Sequence, residues 1–235
     1  MLQRLREEVL EANLELVRRG LVLYTFGNAS GIAREEGLVV IKPSGVPYEQ
    51  LKPEHLVVTD LNSEIVEGEL KPSSDLPTHL ALYNHFAQIG GVAHTHSEYA
   101  TAWAQARKPI PCFGTTHADY FHGPVPVTSD MTDQEIADDY EKNTGHAIIR
   151  SLEKTNALAT PGVLVAHHGP FAWGRDAASA AHNAVILESI ARMAYFTLGI
   201  NPAAQPVGTE LHDKHYLRKH GKDAYYGQAK TEDKR

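Results

Sequence analysis

The segment Gly90-Gly91-Val92-Ala93-His94-Thr95-His96 constrains the fold more than any other stretch of the chain. Two glycines open it, a short apolar run follows, and two histidines flank a threonine. Such a run reads as a short buried strand. Side chains alternate between the faces of a strand, so His94 and His96 leave one side and Thr95 the other. Two imidazoles on one face, two residues apart, can meet a single divalent ion. An isolated pair of this kind is more often a hydrogen-bonded polar pair near a sheet edge, so the rest of the chain has to decide.

A chain of 235 residues is long enough for one large domain or two small ones with an ample core. With 42% hydrophobic and 22% charged residues it has the composition of a soluble globular protein. The formal net charge of −7 argues against a general nucleic-acid or membrane-surface role. It leaves room for a small anionic substrate at a locally positive site. The single Cys112 excludes an intramolecular disulfide framework and fits a reducing cytoplasm. Met1-Leu2-Gln3-Arg4 begins a charged amphipathic helix rather than the apolar core of a signal peptide. No stretch approaches the roughly 20 apolar residues that span a bilayer. Fourteen histidines are many for this size and need an explanation.

Periodicity supplies the frame. Leu2, Leu5, Val9, Ala12 and Leu16 predict an amphipathic helix over 2–19, stopped by Gly20. Short strands are expected at 21–26, 38–41 and 55–59, separated by turn residues. Ser74 or Asp75 is placed to cap a helix with Pro77 in its first turn and Leu80, Tyr83 and Ala87 toward the core. Residues 98–106 read as helical. Thr132–Glu135 form a capping box opening a helix toward Leu152, with an interruption expected at Asn143-Thr144-Gly145. Gly162–Gly169 reads as a buried strand ending in two histidines. Asp176 caps a helix over 177–198, with Ile186, Ile190, Ala194 and Leu198 as its stripe and Gly199 as its stop. Residues 211–226 are basic and aromatic. The fold class predicted is α/β: one domain over 1–228, a central mixed or mostly antiparallel sheet, helices on both faces, then a flexible polar tail over 229–235.

Four groups of residues could carry chemistry. His94, His96, Asp75 and one of His167 or His168 would give three imidazoles and a carboxylate, a shell suited to Zn²⁺ or another late first-row divalent ion. Strand alternation allows only one of the adjacent histidines and does not choose between them. Three loops could hold a phosphate: Gly27-Asn28; Lys42 with Ser44 and Gly45; and Ser73-Ser74 at a helix start, where free N–H groups and the helix dipole favour an anion. Thr115, Thr116, His117 and Asp119 crowd hydroxyls, an imidazole and a carboxylate into one segment, and Asp119 there could act as acid or base. A basic, aromatic C-terminal stretch, including His215 and Tyr226, could wrap a neighbouring site.

These segments together resemble the class II aldolase/epimerase family. The likeness is carried by Thr-Phe-Gly-Asn-Ala-Ser at 25–30, Ile-Lys-Pro-Ser-Gly-Val at 41–46, Lys-Pro-Ser-Ser-Asp-Leu-Pro-Thr-His at 71–79 and His-Thr-His-Ser at 94–97. Residues 114–121, 168–174 and 213–221 are similar to the family's pentulose-phosphate epimerases in particular. The resemblance runs in order to Gln228. It implies a class II aldolase-like fold and one Zn²⁺ per subunit, held by His94, His96, His168 and Asp75. A Glu typically stands at the last position in the related aldolases. It further implies that Gly27, Asn28, Lys42, Ser44, Gly45, Ser73 and Ser74 bind the phosphorylated substrate and that Asp119 and Tyr226 handle protons. Active sites would lie at the subunit interfaces of a homotetramer, with Asp119, Tyr226, Thr116 and His215 serving the adjacent subunit. The activity implied is interconversion of L-ribulose 5-phosphate and D-xylulose 5-phosphate by retro-aldol cleavage and re-addition at C3–C4, as in L-arabinose catabolism. An epimerase acting on L-xylulose 5-phosphate, an aldolase on a related phospho-sugar, and a non-catalytic metal-binding or scaffold protein are the alternatives.

Overall fold

A computed structural model describes residues 2–153 and 155–226. Its centre is one antiparallel sheet of seven strands: β1 (Asn28–Ala33), β2 (Leu38–Ile41), β3 (Val57–Asp60), β4 (Ile65–Glu67), β5 (Gly91–His94), β6 (Gly162–Val165) and β7 (Gly169–Gly174). The spatial order is β4-β3-β2-β1-β5-β7-β6, so β5 sits in the interior, paired with β1 and β7. The α-helices are α1 (Leu2–Arg18), α2 (Leu76–His85), α3 (Glu98–Gln105), α4 (Thr115–Ala118), α5 (Asp133–Asp138), α6 (Tyr140–Ser151), α7 (Ala177–Ile200) and α8 (Thr209–His220).

Period-two alternation sorts the strand side chains into two cores. Val39, Ile41, Val57, Val92, Phe171 and Trp173 pack with Leu80, Leu82 and Tyr83 of α2 and Ile148 of α6. Their neighbours Val40, Val58, Ala93 and Ala172 point the other way, against Val9, Ala12 and Leu16 of α1 and the alanines of α7. Helices therefore cover both faces, as expected. The second face is lined by small residues because α7 lies directly on it. A Cβ at Gly91 would sit 2.3 Å from the Asp176 carbonyl oxygen. The α7 stripe facing the sheet is Ala177, Ala180, Ala181 and Ala184, with Leu187, Ile190, Ala191 and Ala194 further along.

Several expectations needed correction. Residues 21–26 form no strand. They are an irregular loop that exposes Leu23, Tyr24 and Phe26, and Tyr24 has a left-handed φ of 53°. An apolar run alone does not distinguish a buried strand from a surface segment. The strand is instead the following Asn-Ala-Ser-Gly-Ile-Ala, whose small residues fit beneath α1. The strand expected at 55–59 begins at Val57, after a 3₁₀ turn over Pro53–His55. Ala87 lies past the end of α2 and is exposed. The capping box at Thr132 and Glu135 is present, but α6 runs unbroken through 143–145; the break falls at Asp139. Gly145 is a point of close approach between α6 and α2, since a Cβ there would lie 2.6 Å from that of Ala81. Asp176 does cap α7, which continues through Gly199 to Ile200. The strand expected over 162–169 is a hairpin, and its second strand β7 was not foreseen. The polar tail at 229–235 lies outside the described residues.

Two glycines test this packing. Gly91→Ala forces backbone apart and should cost about 3 kcal/mol or more in denaturant unfolding. Gly199→Ala, in open space within α7, should be neutral or stabilise by up to about 1 kcal/mol. Similar effects at both positions would contradict the contact between α7 and β5.

Candidate active site and metal centre

β5 ends at His94, whose side chain leaves on the same face as Val92. Its ring stacks on Phe171 of the paired strand β7 at 4.1 Å and 18°. His94 Nδ1 lies 2.9 Å from the Pro170 carbonyl oxygen. Donation there fixes the tautomer and leaves Nε2 free as a ligand. His96 lies just beyond the strand rather than in it. Its Nε2 nevertheless comes within 3.1 Å of His94 Nε2. The third imidazole comes from the turn between β6 and β7. There His167 takes a left-handed φ of 63° and points outward toward Asp130, so His168 is the one that turns inward. The three rings are mutually edge-on, with centroids 4.7, 4.9 and 5.0 Å apart, and their donor nitrogens all lie within 4.8 Å of one another.

Asp75 occupies the N-cap position of α2, yet its carboxylate caps nothing. Instead Asn28 Nδ2 donates to its Oδ2 at 2.6 Å, and that oxygen lies 4.0 Å from His94 Nε2. Burial by itself would raise this carboxyl group, but the imidazoles of His94 and His79 and the Asn28 bond outweigh it and hold the group below its ordinary range. Burial and the neighbouring His94 push His168 down to about 4 and lower His96 too, so both are neutral lone-pair donors at physiological pH. Three imidazoles beside a carboxylate fit a borderline divalent cation.

The histidines open onto a cavity of about 360 Å³, within the range of small-ligand clefts. Two further loops line it and are tied to each other: Ser44 N–H donates to Lys71 O and Ser73 N–H to Lys42 O, both at 3.0 Å. Every residue expected in the anion-binding loops lines this cavity: Gly27, Asn28, Lys42, Ser44, Gly45, Ser73 and Ser74. Gly27 is required where it stands, with φ 75° and no room for a Cβ against His94 O at 2.9 Å. Lys42 is buried, with Nζ near the Thr25 carbonyl and 4.7 Å above the Tyr48 ring, and it makes no ion pair among the described residues. Burial lowers it to about 8. A buried ammonium without a carboxylate partner is unfavourable unless an anion visits it.

The remaining four expected residues do not line this cavity. Asp119 caps the end of α4 and is gripped by α8. Arg218 donates to both of its carboxylate oxygens at 3.0 and 2.8 Å, and His215 Nδ1 lies 3.1 Å away. Burial would raise this carboxyl group, but the bonds from Arg218 and His215 and the charge of Lys219 hold it below its ordinary range. Tyr226 lies beneath the same cations, its ring 4.7 Å from Arg218 and 4.4 Å from Lys219. Thr116 is exposed on α4.

Two cavity residues were missed from the sequence. Tyr140 Oη lies 3.3 Å from His168 Nδ1, and Glu141 follows it at the rim. Their signal is the helix break at Asp139, which sets the start of α6, whereas the sequence places the break at 143–145. A larger groove of about 810 Å³ between α2 and α6 contains none of the three histidines.

Residues 7–195 match the family model described as Class II Aldolase and Adducin N-terminal domain, and the chain belongs to that family. Within it, the chain is 55% identical over 227 residues to a Salmonella paratyphi B protein named L-ribulose-5-phosphate 4-epimerase UlaF, covering 97% of this chain and all of that one. Among solved structures, an L-fuculose 1-phosphate aldolase is 26% identical with a TM-score of 0.79, over 92% of this chain and 96% of its own. YgbL of Klebsiella pneumoniae, described as a putative aldolase/epimerase/decarboxylase, is 27% identical with a TM-score of 0.71, over 91% and 98%. No helix among the described residues is long and apolar enough to cross a membrane.

Lys42 sets an expected pH dependence. Its group is charged below about 8 and neutral above it, so its attraction for an anion is full at pH 7 and fades as pH rises through 8. Calorimetric binding of inorganic phosphate should weaken between pH 7 and 9.5, and Lys42→Met should remove that dependence. Equal pH dependence in both proteins would exclude Lys42 as the anion's partner.

Proposed function

We propose that the chain is an epimerase interconverting L-ribulose 5-phosphate and D-xylulose 5-phosphate, with zinc held by His94, His96, His168 and Asp75. The observation that carries this reading is the convergence of three imidazoles and a buried lysine on one cavity, in a chain 55% identical to a protein of that name. An Asp rather than a Glu at position 75 favours an epimerase over an aldolase. The chemistry a zinc ion supplies when bound there is Lewis acidity toward the carbonyl and neighbouring hydroxyl oxygens of a ketose.

The chain's own residues account for the other requirements. Lys42, Ser44, Gly45, Ser73 and Ser74 take the phosphate through one cation, two tethered loops and the start of α2. Asn28 commits its amide N–H to Asp75 and keeps a buried Oδ1 without a partner among the described residues, ready for a substrate hydroxyl. Cleaving C3–C4 requires removal of the C4 hydroxyl proton. Re-addition to the other aldehyde face requires a proton to be delivered from the opposite side. Two groups are therefore needed. Asp119, held ionised by Arg218, and the Tyr226 phenol supply the two groups, one taking the C4 hydroxyl proton of one epimer and the other returning a proton to the other epimer, with solvent resetting both between turnovers.

Because these two groups lie apart from the cavity of their own chain, we place them, with Thr116 and His215, against the cavity of a neighbouring subunit in a cyclic homotetramer. Apolar surface of the right kind supports this. Leu23, Tyr24 and Phe26 are exposed on the loop that leads into the cavity wall, and Tyr195, Phe196 and Ile200 are exposed near the end of α7. The buried, unpaired Cys112 suits a cytoplasmic setting.

An assay of L-ribulose 5-phosphate, L-xylulose 5-phosphate and L-fuculose 1-phosphate tests the reaction. The first should turn over fastest; preferential cleavage of the last to an aldehyde would make the protein an aldolase instead. Asp119→Asn and Tyr226→Phe should each lower turnover by about 10²–10⁴-fold with zinc retained. Normal rates in both would remove them from the chemistry.

Subunit mixing tests the shared site. Co-assembled His96→Ala and Asp119→Asn chains should regain about a quarter of wild-type activity, the share of interfaces in a head-to-tail ring that pair two intact halves. No recovery in verified mixed tetramers would place both halves in one chain.

A further inference from the structure

Apart from the cavity histidines, one other set of side chains among the described residues brings metal-ligating atoms together: His122, His212 and Asp213. We propose that these three form a second metal site, for a borderline divalent cation such as Zn²⁺, distinct from the ion of the cavity. Asp213 Oδ1 lies 3.2 Å from His122 Nε2 and 3.2 Å from His212 Nδ1, and all three ligand atoms lie within 4.8 Å of one another. Bonds of about 2.1 Å in a tetrahedral shell put neighbouring ligand atoms roughly 3.4 Å apart. That is close to the 3.1 Å separating His94 and His96 Nε2 in the cavity.

The surroundings of His212 distinguish this set from an ordinary surface network. Its ring is buried, and Nε2 lies 3.1 Å from the Phe121 carbonyl oxygen and 3.0 Å from the Gly123 N–H. One nitrogen cannot both donate and accept, so either tautomer finds a partner. With the Gly123 N–H donating to Nε2, Nδ1 carries a proton toward Asp213. With Nε2–H donating to Phe121 O, Nδ1 turns a lone pair toward Asp213 and His122. The second arrangement is the one metal-bound histidines use, with the distal N–H on a backbone carbonyl. Passing between the two only moves the proton across the ring.

The other two ligands are equally prepared. Hydrogen bonds from His212 and His122 hold the Asp213 carboxyl group below its ordinary range, so it is a carboxylate at neutral pH. His122 is anchored through its backbone N–H to Ala159 O at 2.8 Å, and its ring stands edge-on to His212 and Tyr216 at 4.9 and 4.8 Å. His122 and Asp213 side chains are 50% and 40% exposed, which leaves the site open to water on one side. A cation here joins the turn at 121–123 to α8. The next turns of that helix carry His215 and Arg218, which grip Asp119, so the ion would stiffen the support of that carboxylate.

Equilibrium dialysis of zinc-loaded protein against micromolar free Zn²⁺ tests the site. Wild type should bind two ions per chain. His122→Ala and Asp213→Asn should keep one and weaken the second beyond the roughly 10–100-fold loss of an outer-shell partner. His96→Ala should lose the cavity ion and keep this one, which separates failure here from failure of the functional reading. In nitrogen-15 spectra, zinc should convert His212 to the Nε2–H tautomer. One ion per wild-type chain, or a second ion retained unchanged in His122→Ala, would overturn the proposal.

Discussion

The nitrogens of His94 and His96 meet at 3.1 Å, with His168 closing the triangle. Imidazole lone pairs at that distance repel unless a proton or a cation lies between them. Burial works against the proton by pushing His168 and His96 toward their neutral forms. The fold imposes the meeting. β5 is held between β1 and β7, His94 is stacked on Phe171, and the β6–β7 turn is bent by the left-handed backbone of His167. Rigid elements thus hold a cluster that would be unfavourable without a positive charge.

The same economy governs Lys42. A buried ammonium and a cluster of imidazole nitrogens share one cavity, and among the described residues the ammonium has no carboxylate partner. A ligand with an anionic end and adjacent oxygen donors satisfies both at once, which is the chemistry of a phosphorylated ketose. Asp119 presents the opposite case. It is over-supplied with cations, from Arg218 and Lys219, with His215 as a further hydrogen-bond partner, and lies apart from the cavity. The proposed assembly brings a carboxylate held ready for protons to a cavity that has none in the required position.

Much of this was legible in the sequence where chemistry and local geometry coincide. The alternation around His94, the capping box at Thr132, the cap at Asp176 and the loops at 42–45 and 73–75 all leave local signatures. What failed depended on contacts distant in the chain. Leu21–Phe26 has the pattern of a strand, but no neighbouring strand pairs with it. Gly145 looks like a helix breaker because its real role, close approach to Ala81, belongs to another helix. Strand alternation could not choose between His167 and His168, because a turn rather than a strand decides it. Tyr140 was missed because its contact with His168 exists only after α6 is docked.

Zinc K-edge X-ray absorption, on protein loaded with one equivalent of metal per chain, tests the central claim most directly. Wild type should show three imidazole nitrogens at about 2.0–2.1 Å together with oxygen, and His168→Ala should show two. An imidazole count unchanged by that substitution, or a shell without imidazole, would contradict the account.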